Sequence, residues 1–423
     1  MEIQVGHTST CVEAAGNILS QEITNIVRLQ EDYRRGYRQP MKICLNALHF
    51  APGHMGGTET YFRELIRHIP LVGNDDDSIV VFTNSRYHEE FSANEGISIE
   101  HIAIYERPDP RWFMRAILRK GFGIDLQARA LARVKADIIH YPFSLLDPPV
   151  SDKPTVLTFW DMQQEFYPQF FTKKEREHRA KTYKKSVHLA TRVIVSAEFT
   201  KQCLVDLYAV DKNKIDVVYT GYSHDYQASR SVAEIDFVRQ KYDLDRPFMF
   251  YPAATWPHKN HLGLLNALRL LIDRHNFDGM LVLSGIAMQQ HNALLEALHE
   301  LRLSKHVKVL GYLPYATMPC LFNMARLLVF PSLFEGFGMP LVEAMASGCP
   351  VVASNCTSIP EVVGDAGTLF DPNSIEDIAE TLWSVWNNDQ QLIAMREKGL
   401  HRVTKFTWEE TARRTHDVYN KIV

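Results

Sequence analysis

The sequence lacks several features that would place a protein in a specialised class. It contains no run of about eighteen uncharged apolar residues, so a membrane-spanning helix is not expected. It does not begin with a basic stretch followed by a long apolar one, which argues against a secretory signal. Its six cysteines form neither a CxxC pair nor a metal-ligand spacing. These absences favour a protein of a reducing cytoplasm.

The overall charge is small and mixed. A formal net charge of -4 at pH 7, with 23% charged residues, is typical of soluble globular proteins and argues against a nucleic-acid-binding or disordered chain. At 423 residues the chain is too long for a single hydrophobic core, so we expect two domains.

Short apolar runs alternate with amphipathic segments in two blocks, which begin at Met41 and Phe248. Strands separated by helices are typical of parallel sheets, so the predicted fold class is α/β with two Rossmann-like, doubly wound domains. The predicted boundaries are an appendage at 1–40, a first domain at 41–221 that includes a final helix at about 408–423, a junction at 222–247 and a second domain at 248–407. Ligands of such folds bind beyond the carboxyl ends of the strands, in the cleft between the domains.

The strongest site signal is a strand followed by a glycine-containing loop and a helix, between residues 329 and 346. Pro340 is well suited to the first helical position, because its missing N–H would be unpaired there. The loop amides would then lie at a helix N-terminus, where unpaired donors and the positive dipole end favour a phosphate group. These amides belong to Gly336, Phe337, Gly338 and Met339.

Two carboxylates flank this loop. Glu335 precedes it and Glu343 lies within the first helical turns. Each can accept hydrogen bonds from a vicinal diol, so one could hold a transferred sugar and the other a ribose. The alternative is an exposed loop glutamate and a helix-start glutamate that the helix dipole favours.

The motifs around this loop resemble the signature of retaining GT-B glycosyltransferases of family 4. Glu335 and Glu343 match the two glutamates of the family's E-x7-E motif. Further matches are EGFG at 335–338, LVEAMASGCPVVAS at 341–354, LGYLP at 310–314, SIPEVVGDAG at 358–367 and FTWEETA at 406–412. The resemblance extends more weakly from about Met41 to the end, and it is strongest to mannosyltransferase-like members. It implies the GT-B fold, with an acceptor-binding first domain and a donor-binding second domain.

The resemblance implies roles for individual residues of the second domain. The first glutamate of the family contacts the donor hexose and the second contacts the ribose, which implies these roles for Glu335 and Glu343. Lys259 is implied to face the diphosphate, where a compact cation could neutralise the leaving group without a metal or other cofactor. Many relatives carry an arginine where this sequence has Ala254, so Lys259 would carry more of that role here. A solvated loop lysine is the alternative.

The first domain is expected to contribute a glycine turn and an acidic residue. The resemblance implies that Gly56 and Gly57 pass close to the donor phosphates; a tight turn without a ligand is the alternative. Asp161 matches the aspartate of a His-Asp pair in many relatives, which implies a catalytic position. Trp160 replaces the histidine and cannot relay a proton. His140 could compensate, but it is interpreted first as a packed or capping histidine.

Two acidic clusters, at 75–77 and 243–245, would be the candidates for a metal-dependent mechanism. Neither follows a predicted strand in a setting typical of a metal site, so both are interpreted as solvated loops. We therefore predict no metal site.

The resemblance implies a metal-independent hexosyltransferase that retains the anomeric configuration. Its leading donor is GDP-mannose, and its acceptor would be a glycan or a lipid-linked glycan in polysaccharide or glycolipid biosynthesis. Two alternatives stay open. A GT-B epimerase or phosphorylase would use the same cleft without an acceptor hydroxyl, and a catalytically silent partner subunit would keep only the fold.

Basic residues are concentrated in the first domain. From Tyr105 to Lys201, eighteen lysines and arginines outnumber eleven aspartates and glutamates. Within this region, 107–115 combines cations with aromatic residues and 173–185 reads as a basic helix. Such segments can bind anionic headgroups, which would place the protein peripherally at the inner face of a membrane. A solvated basic helix is the alternative.

Overall fold

The computed structural model describes residues 40–423 except 74–75, 92–96, 103–109 and 228–229. The appendage predicted at 1–40 therefore lies outside the described residues, apart from its last position.

The described residues of the first half of the chain form a sheet of seven parallel strands. These are β1 (Lys42–Ala47), β2 (Ser78–Asn84), β3 (Ile97–Ile102), β4 (Ile138–Tyr141), β5 (Thr155–Phe159), β6 (Arg192–Val195) and β7 (Ile215–Val217). Their order in the sheet is β3-β2-β1-β4-β5-β6-β7. The accompanying helices are α1 (Gly57–Val72), α2 (Pro110–Gly121), α3 (Leu126–Arg133), α4 (Gln163–Phe166), α5 (Lys173–Leu189) and α6 (Glu198–Tyr208).

The second half repeats this arrangement with six parallel strands in its described part. These are β8 (Phe248–Pro252), β9 (Met280–Ser284), β10 (Val307–Val309), β11 (Leu327–Phe330), β12 (Val351–Ser354) and β13 (Gly367–Phe370), in the order β10-β9-β8-β11-β12-β13. The helices are α7 (Val232–Tyr242), α8 (His261–His275), α9 (His291–Glu300), α10 (Met318–Met324), α11 (Met339–Ala346), α12 (Ile359–Val363), α13 (Ile375–Trp386), α14 (Asp389–Arg402) and α15 (Trp408–Tyr419).

Both faces of the first sheet are buried, which explains why its strands are apolar on both sides. In β1, Ile43 and Leu45 belong to one core cluster, whereas Cys44 belongs to the other. The second sheet and its helices share one larger cluster. Tyr226 and Val238, from the segment expected as a junction, are part of that cluster. The prediction of two doubly wound parallel-sheet domains is confirmed.

Helix α15 packs on the first domain, although it follows the second in the chain. Its Trp408 and Tyr419 belong to the same core cluster as Ile43. Its His416 places Nε2 2.7 Å from Oδ2 of Asp77, whose side chain is only 2% exposed. The interpretation of Asp77 as a solvated loop residue is wrong, because this carboxylate is buried between α15 and the start of β1.

The chain passes between the domains along two segments that touch each other. Tyr222 and Thr407 form a parallel β-bridge where the two segments meet. A Cβ on Gly221 would lie 2.4 Å from the backbone nitrogen of Trp408, so only glycine allows this approach.

Candidate functional site

The loop between β11 and α11 reaches the cleft from the second domain. Gly338 precedes the helix with φ +96°, a left-handed conformation that favours glycine. Met339 is the first helical residue and Pro340 the second, so the helix begins one residue earlier than the sequence predicted. Pro340 still lies in the first turn, where its missing N–H costs no helical hydrogen bond.

A backbone contact joins this loop to the first domain. A Cβ built on Gly336 would lie 2.4 Å from the carbonyl oxygen of Trp160, so no larger residue fits without a shift of the backbone. Ser196 Oγ donates a hydrogen bond of 3.1 Å to the carbonyl oxygen of Gly336. The two domains therefore touch at the carboxyl ends of β5, β6 and β11.

A second helix N-terminus lies at the same place. Helix α1 begins at Gly57, and Gly56 before it has φ +55°. A Cβ on Gly57 would lie 2.9 Å from Sδ of Met339, the first residue of α11. The N-termini of α1 and α11 therefore lie close together at the cleft, and both positive dipole ends favour a negative charge nearby.

Lys259 and Glu335 form an ion pair at this point. Nζ lies 2.6 Å from Oε1, and the two side chains are only 18% and 11% exposed. The lysine ends a short 3-10 turn, Pro257–Lys259, and Tyr251 donates a hydrogen bond of 2.8 Å from its hydroxyl to the Lys259 carbonyl. The backbone nitrogen of Glu335 donates one of 3.1 Å to Thr357 Oγ1. Neither charged side chain is a solvated surface residue.

Asp161 approaches the ion pair from the first domain. A Cβ on Gly336 would lie 3.5 Å from the Cβ of Asp161, and the backbone nitrogen of Gln163 donates a hydrogen bond of 3.2 Å to the Asp161 carboxylate. Burial raises the pKa of Asp161; the nearby charge of Glu335 acts in the same direction and that of Lys259 opposes it. The structure thus brings Asp161, Lys259 and Glu335 together across the cleft.

Glu343 forms a separate part of the site. Burial raises the pKa of its carboxyl to about 7, although a hydrogen bond with the hydroxyl of Tyr226 opposes the shift. Tyr226 is buried and meets Tyr315 edge-on, with ring centroids 5.7 Å apart. Sequence reasoning missed Tyr226, because the segment 222–247 carries no motif that would mark a tyrosine as a partner of Glu343.

The sequence matches two family models that together cover both domains. One is described as Glycosyltransferase Family 4 and matches residues 55–226; the other is described as Glycosyl transferases group 1 and matches residues 233–402. The O-antigen chain mannosyltransferase B of Escherichia coli is 33% identical over 294 residues, which are 69% of this chain and 76% of that protein. The chain belongs to glycosyltransferase family 4.

Other known proteins resemble this family 4 glycosyltransferase over different lengths. The serotype-specific mannosyltransferase WbdA of Escherichia coli is 31% identical over 190 residues, which are 44% of this chain but only 23% of that protein. The crystal structure of Anabaena HepE in complex with UDP-glucose superimposes with a TM-score of 0.69 at 18% identity, over 90% of this chain and 100% of that chain. The predicted family and the GT-B fold are confirmed.

Trp160 packs its indole inside the first domain. Nε1 donates a hydrogen bond of 2.8 Å to the carbonyl of Pro142, and the ring meets Tyr61 edge-on at 4.7 Å. Its carbonyl oxygen is the atom that approaches Gly336. Trp160 therefore borders the cleft through its backbone, while its side chain packs within the first domain.

His140 is not free to relay a proton, which was the alternative interpretation of this residue. The residue is fully buried, with Nδ1 2.6 Å from the hydroxyl of Tyr419 and Nε2 2.7 Å from Thr158 Oγ1. Burial lowers its pKa to about 3, so the ring is neutral. His140 joins β4 to α15, and its interpretation as a packed histidine is confirmed.

The two acidic clusters, at 75–77 and 243–245, differ in how far their described carboxylates are exposed to solvent. Asp75 lies outside the described residues, and Asp77 is bound to His416. Asp243 is exposed and pairs with Lys308, as a solvated residue would. In the part of the chain that the structure describes, no group of three or more histidine, cysteine or acidic residues is arranged to hold a metal ion.

A cavity of about 740 Å³, which we call the interdomain cavity, lies between the domains. Gln163 and Arg179 line it from the first domain, and Trp256 and His258 line it from the second. Sequence reasoning did not place these residues in the cleft, and it considered Arg179 only as part of the basic stretch 173–185. The available signal was Trp256, a large aromatic residue three positions before the lysine.

Proposed function

We propose that this family 4 glycosyltransferase transfers a hexose, with retention of the anomeric configuration, from a nucleotide-sugar to a hydroxyl group of a glycan during polysaccharide synthesis. GDP-mannose is the leading donor. The observation that carries the proposal is the meeting of Lys259, Glu335 and two helix N-termini in one part of the cleft. Relatives named as mannosyltransferases, one of them of an O-antigen chain, support the choice of mannose. The structural neighbour that holds UDP-glucose supports a nucleotide-sugar donor.

Neutralising the leaving diphosphate is the main task of the proposed site. The diphosphate would lie between the N-termini of α1 and α11, with the ammonium of Lys259 beside it. Glu335 would exchange its contact with Lys259 for hydrogen bonds from the hexose, while Glu343 would accept those of the ribose. We propose that no metal ion is needed, because the lysine and the helix amides supply the positive charge.

In the proposed step, the bond from the anomeric carbon to the leaving phosphate oxygen breaks while the bond to the acceptor oxygen forms on the same face. The acceptor hydroxyl passes its proton to the leaving phosphate oxygen, so no protein base is required. Positive charge develops on the sugar ring in the transition state. Asp161 and Glu335, from opposite domains, would stabilise that charge and hydrogen-bond the hexose.

A donor panel in excess EDTA tests this proposal. We expect the full-length protein to convert GDP-mannose and a mannose-terminated acceptor into GDP and an α-mannoside, at a rate that the chelator leaves unchanged. The reason is that protein groups, and no metal ion, neutralise the diphosphate. Release of the nucleoside diphosphate gives the rate, and NMR of the product gives the anomeric configuration.

Each contrary outcome of this assay has a different meaning. Activity that is lost in EDTA and restored by manganese would contradict metal independence, and a β-linked product would contradict retention. An epimerised nucleotide-sugar, or release that depends on added phosphate, would favour the epimerase or phosphorylase alternative. Binding of GDP or UDP without turnover of any donor or acceptor would favour a catalytically silent partner.

We further propose that the first domain docks on an anionic membrane surface. Helix α2 carries Phe113, Met114 and Ile117, each at least half exposed. Helix α5 contains the basic stretch 173–185, whereas 107–115 lies partly outside the described residues. In the described part of the chain, no helix combines the length and apolar character needed to span a bilayer. Exposed apolar side chains near basic residues are typical of peripheral binding.

Co-sedimentation with vesicles tests this docking surface. We expect the protein to sediment with vesicles that contain anionic lipid, less strongly as salt rises, because headgroup attraction is screened. Replacing Phe113 and Ile117 together by serine should reduce sedimentation, whereas Phe237→Ala, an exposed aromatic of α7, should not. Equal recovery with neutral and anionic vesicles would argue against the docking.

A further inference from the structure

Helix α6 of the first domain begins without a capping side chain of its own. Its N-cap residue is Ala197, which has no side-chain acceptor. The hydroxyl of Ser196, one residue earlier, donates its hydrogen bond to the carbonyl oxygen of Gly336 in the second domain. Since the first backbone N–H groups of a helix have no partner within the helix, α6 needs an acceptor from elsewhere.

Glu361 of the second domain supplies that acceptor. Its Oε1 accepts a hydrogen bond of 2.8 Å from the backbone nitrogen of Glu198, and its Oε2 accepts one of 3.2 Å from that of Phe199. The hydroxyl of Tyr219, two residues after β7, donates a third bond of 3.0 Å to Oε1. The positive end of the helix dipole also attracts the negative charge of the carboxylate. A helix of one domain is therefore capped by a side chain of the other.

The segment that carries Glu361 also holds the backbone of Glu335. Ser358, which precedes α12, is buried, and its hydroxyl donates a hydrogen bond of 3.0 Å to the carbonyl oxygen of Glu335. The neighbouring Thr357 accepts, at Oγ1, the hydrogen bond from the Glu335 backbone nitrogen. Glu335 and Glu361 thus belong to one bonded unit, so the position of Glu335 relative to the first domain depends on the cap.

An aromatic contact between the domains lies next to the cap. Phe334 precedes Glu335 and is only 3% exposed. Its ring centroid lies 6.1 Å from that of Phe199 and 5.2 Å from that of Phe166, both in the first domain. Burial of apolar rings favours contact without fixing its direction, whereas hydrogen bonds require a defined geometry. The rings therefore favour closure of the cleft, and Glu361 determines how the domains are aligned when it is closed.

We infer that Glu361 is a positioning residue of this glycosyltransferase: its cap on α6 holds the two domains in the arrangement that brings Asp161 to Glu335. The inference goes beyond the proposed function, on which only its kinetic test rests. Loss of the carboxylate would increase the population of an arrangement in which the domains stand further apart. A donor that needs groups from both domains binds only the closed fraction, so its apparent affinity falls as that fraction falls.

Replacing Glu361 by alanine is expected to raise the KM for the donor by about threefold to fivefold, the factor that corresponds to the loss of one helix cap. The value of kcat should stay within about twofold of the wild type, because saturating donor restores the closed arrangement. Glu361→Gln keeps one acceptor oxygen without the charge, so its KM should lie between the two. Steady-state kinetics with the donor that the panel identifies would measure these values.

Tyr219→Phe shows whether the effect on KM arises from this contact. The change removes one of the three hydrogen bonds to Glu361 and keeps the ring, whose centroid lies 6.1 Å from that of Phe337. Alone, it should raise the donor KM by about twofold, the lower end of what one hydrogen bond contributes. Combined with Glu361→Ala it should add nothing, because two groups that act through one contact are not additive. A full effect in both backgrounds would contradict the inference.

Small-angle X-ray scattering of the full chain tests the positioning without turnover. In the absence of ligand, Glu361→Ala should have a larger radius of gyration than the wild type, and saturating GDP or UDP should reduce the difference. Ser374→Ala is the matched control, because Ser374 caps α13 within the second domain by accepting a hydrogen bond of 3.1 Å from the backbone nitrogen of Asp377. It should lower the melting temperature but change neither the radius of gyration nor KM.

The outcomes separate this inference from the proposed function. Equal scattering and equal KM in Glu361→Ala and the wild type, with only a lower melting temperature, would overturn the inference and leave Glu361 a structural cap. A large fall in kcat at unchanged KM would overturn it too, because Glu361 would then act in the chemical step. A wild-type chain that turns over no donor would contradict the proposed function, and the scattering comparison alone would then decide the role of Glu361.

Discussion

Replacing Lys259 by alanine is expected to lower kcat by about a hundredfold to a thousandfold, the range observed when one preorganised charge-stabilising group is removed from an active site. The ammonium is only 18% exposed, where its charge counts for more than in water. The loss should fall on kcat more than on KM, because the negative charge on the diphosphate grows in the transition state. Steady-state kinetics with the donor that the panel identifies would measure it.

The control for this prediction has to separate chemistry from folding. Alanine at 259 leaves the carboxylate of Glu335 partly buried without its partner, so a lower melting temperature is expected as well. Adding Glu335→Gln should restore the melting temperature without restoring kcat. Lys241→Ala removes an ammonium 5.2 Å from the ring centroid of Tyr242 and should leave both quantities nearly unchanged. An unchanged kcat in Lys259→Ala would remove this lysine from the mechanism.

Gly336→Ala is expected to lower kcat/KM by about a hundredfold, the loss that a misplacement of roughly 1 Å can cause in an active site. The new Cβ would lie 2.4 Å from the carbonyl oxygen of Trp160, and a backbone atom cannot rotate away as a flexible side chain can. The loop before α11 would therefore move away from the first domain, and Glu335 would move with it. The ratio kcat/KM and the melting temperature measure the effect.

A second glycine, Gly121, serves as a control that shows whether the loss of kcat/KM comes from the contact at Gly336. A Cβ on Gly121, at the end of α2, would meet nothing within 4 Å, so Gly121→Ala should keep both activity and stability. Gly336→Ala should change the melting temperature little, because the clash lies between two domains with separate cores. Wild-type kcat/KM in Gly336→Ala would show that turnover does not require the observed contact between the two loops.

Local patterns were sufficient to predict the architecture. The second apolar block, predicted to begin at Phe248, opens with β8 at that residue, and the strand predicted before the glycine loop is β11. The glycine loop and Pro340 placed the start of α11 within one residue. These features depend on side-chain periodicity and turn chemistry, which neighbouring residues determine.

Contacts between distant segments could not be predicted in this way. The approach of Gly336 to Trp160 and the hydrogen bond between Tyr226 and Glu343 depend on how two domains and a crossing segment are arranged. No periodic pattern records that arrangement. Asp77 is a further example of a distant contact that the sequence did not predict. A run of three aspartates is typical of a solvated turn, but Asp77 is buried because it pairs with His416 of α15.

Helix α15 also determines when the first domain can be completed during synthesis. Trp408 and Tyr419 fill the core beneath β1, and the Tyr419 hydroxyl satisfies the buried ring of His140. The ribosome releases these residues only after the whole second domain has emerged. The second domain, with a core of its own, can fold first, while an apolar face of the first domain stays uncovered until α15 has emerged. The half of the enzyme that is translated first is therefore the half that matures last.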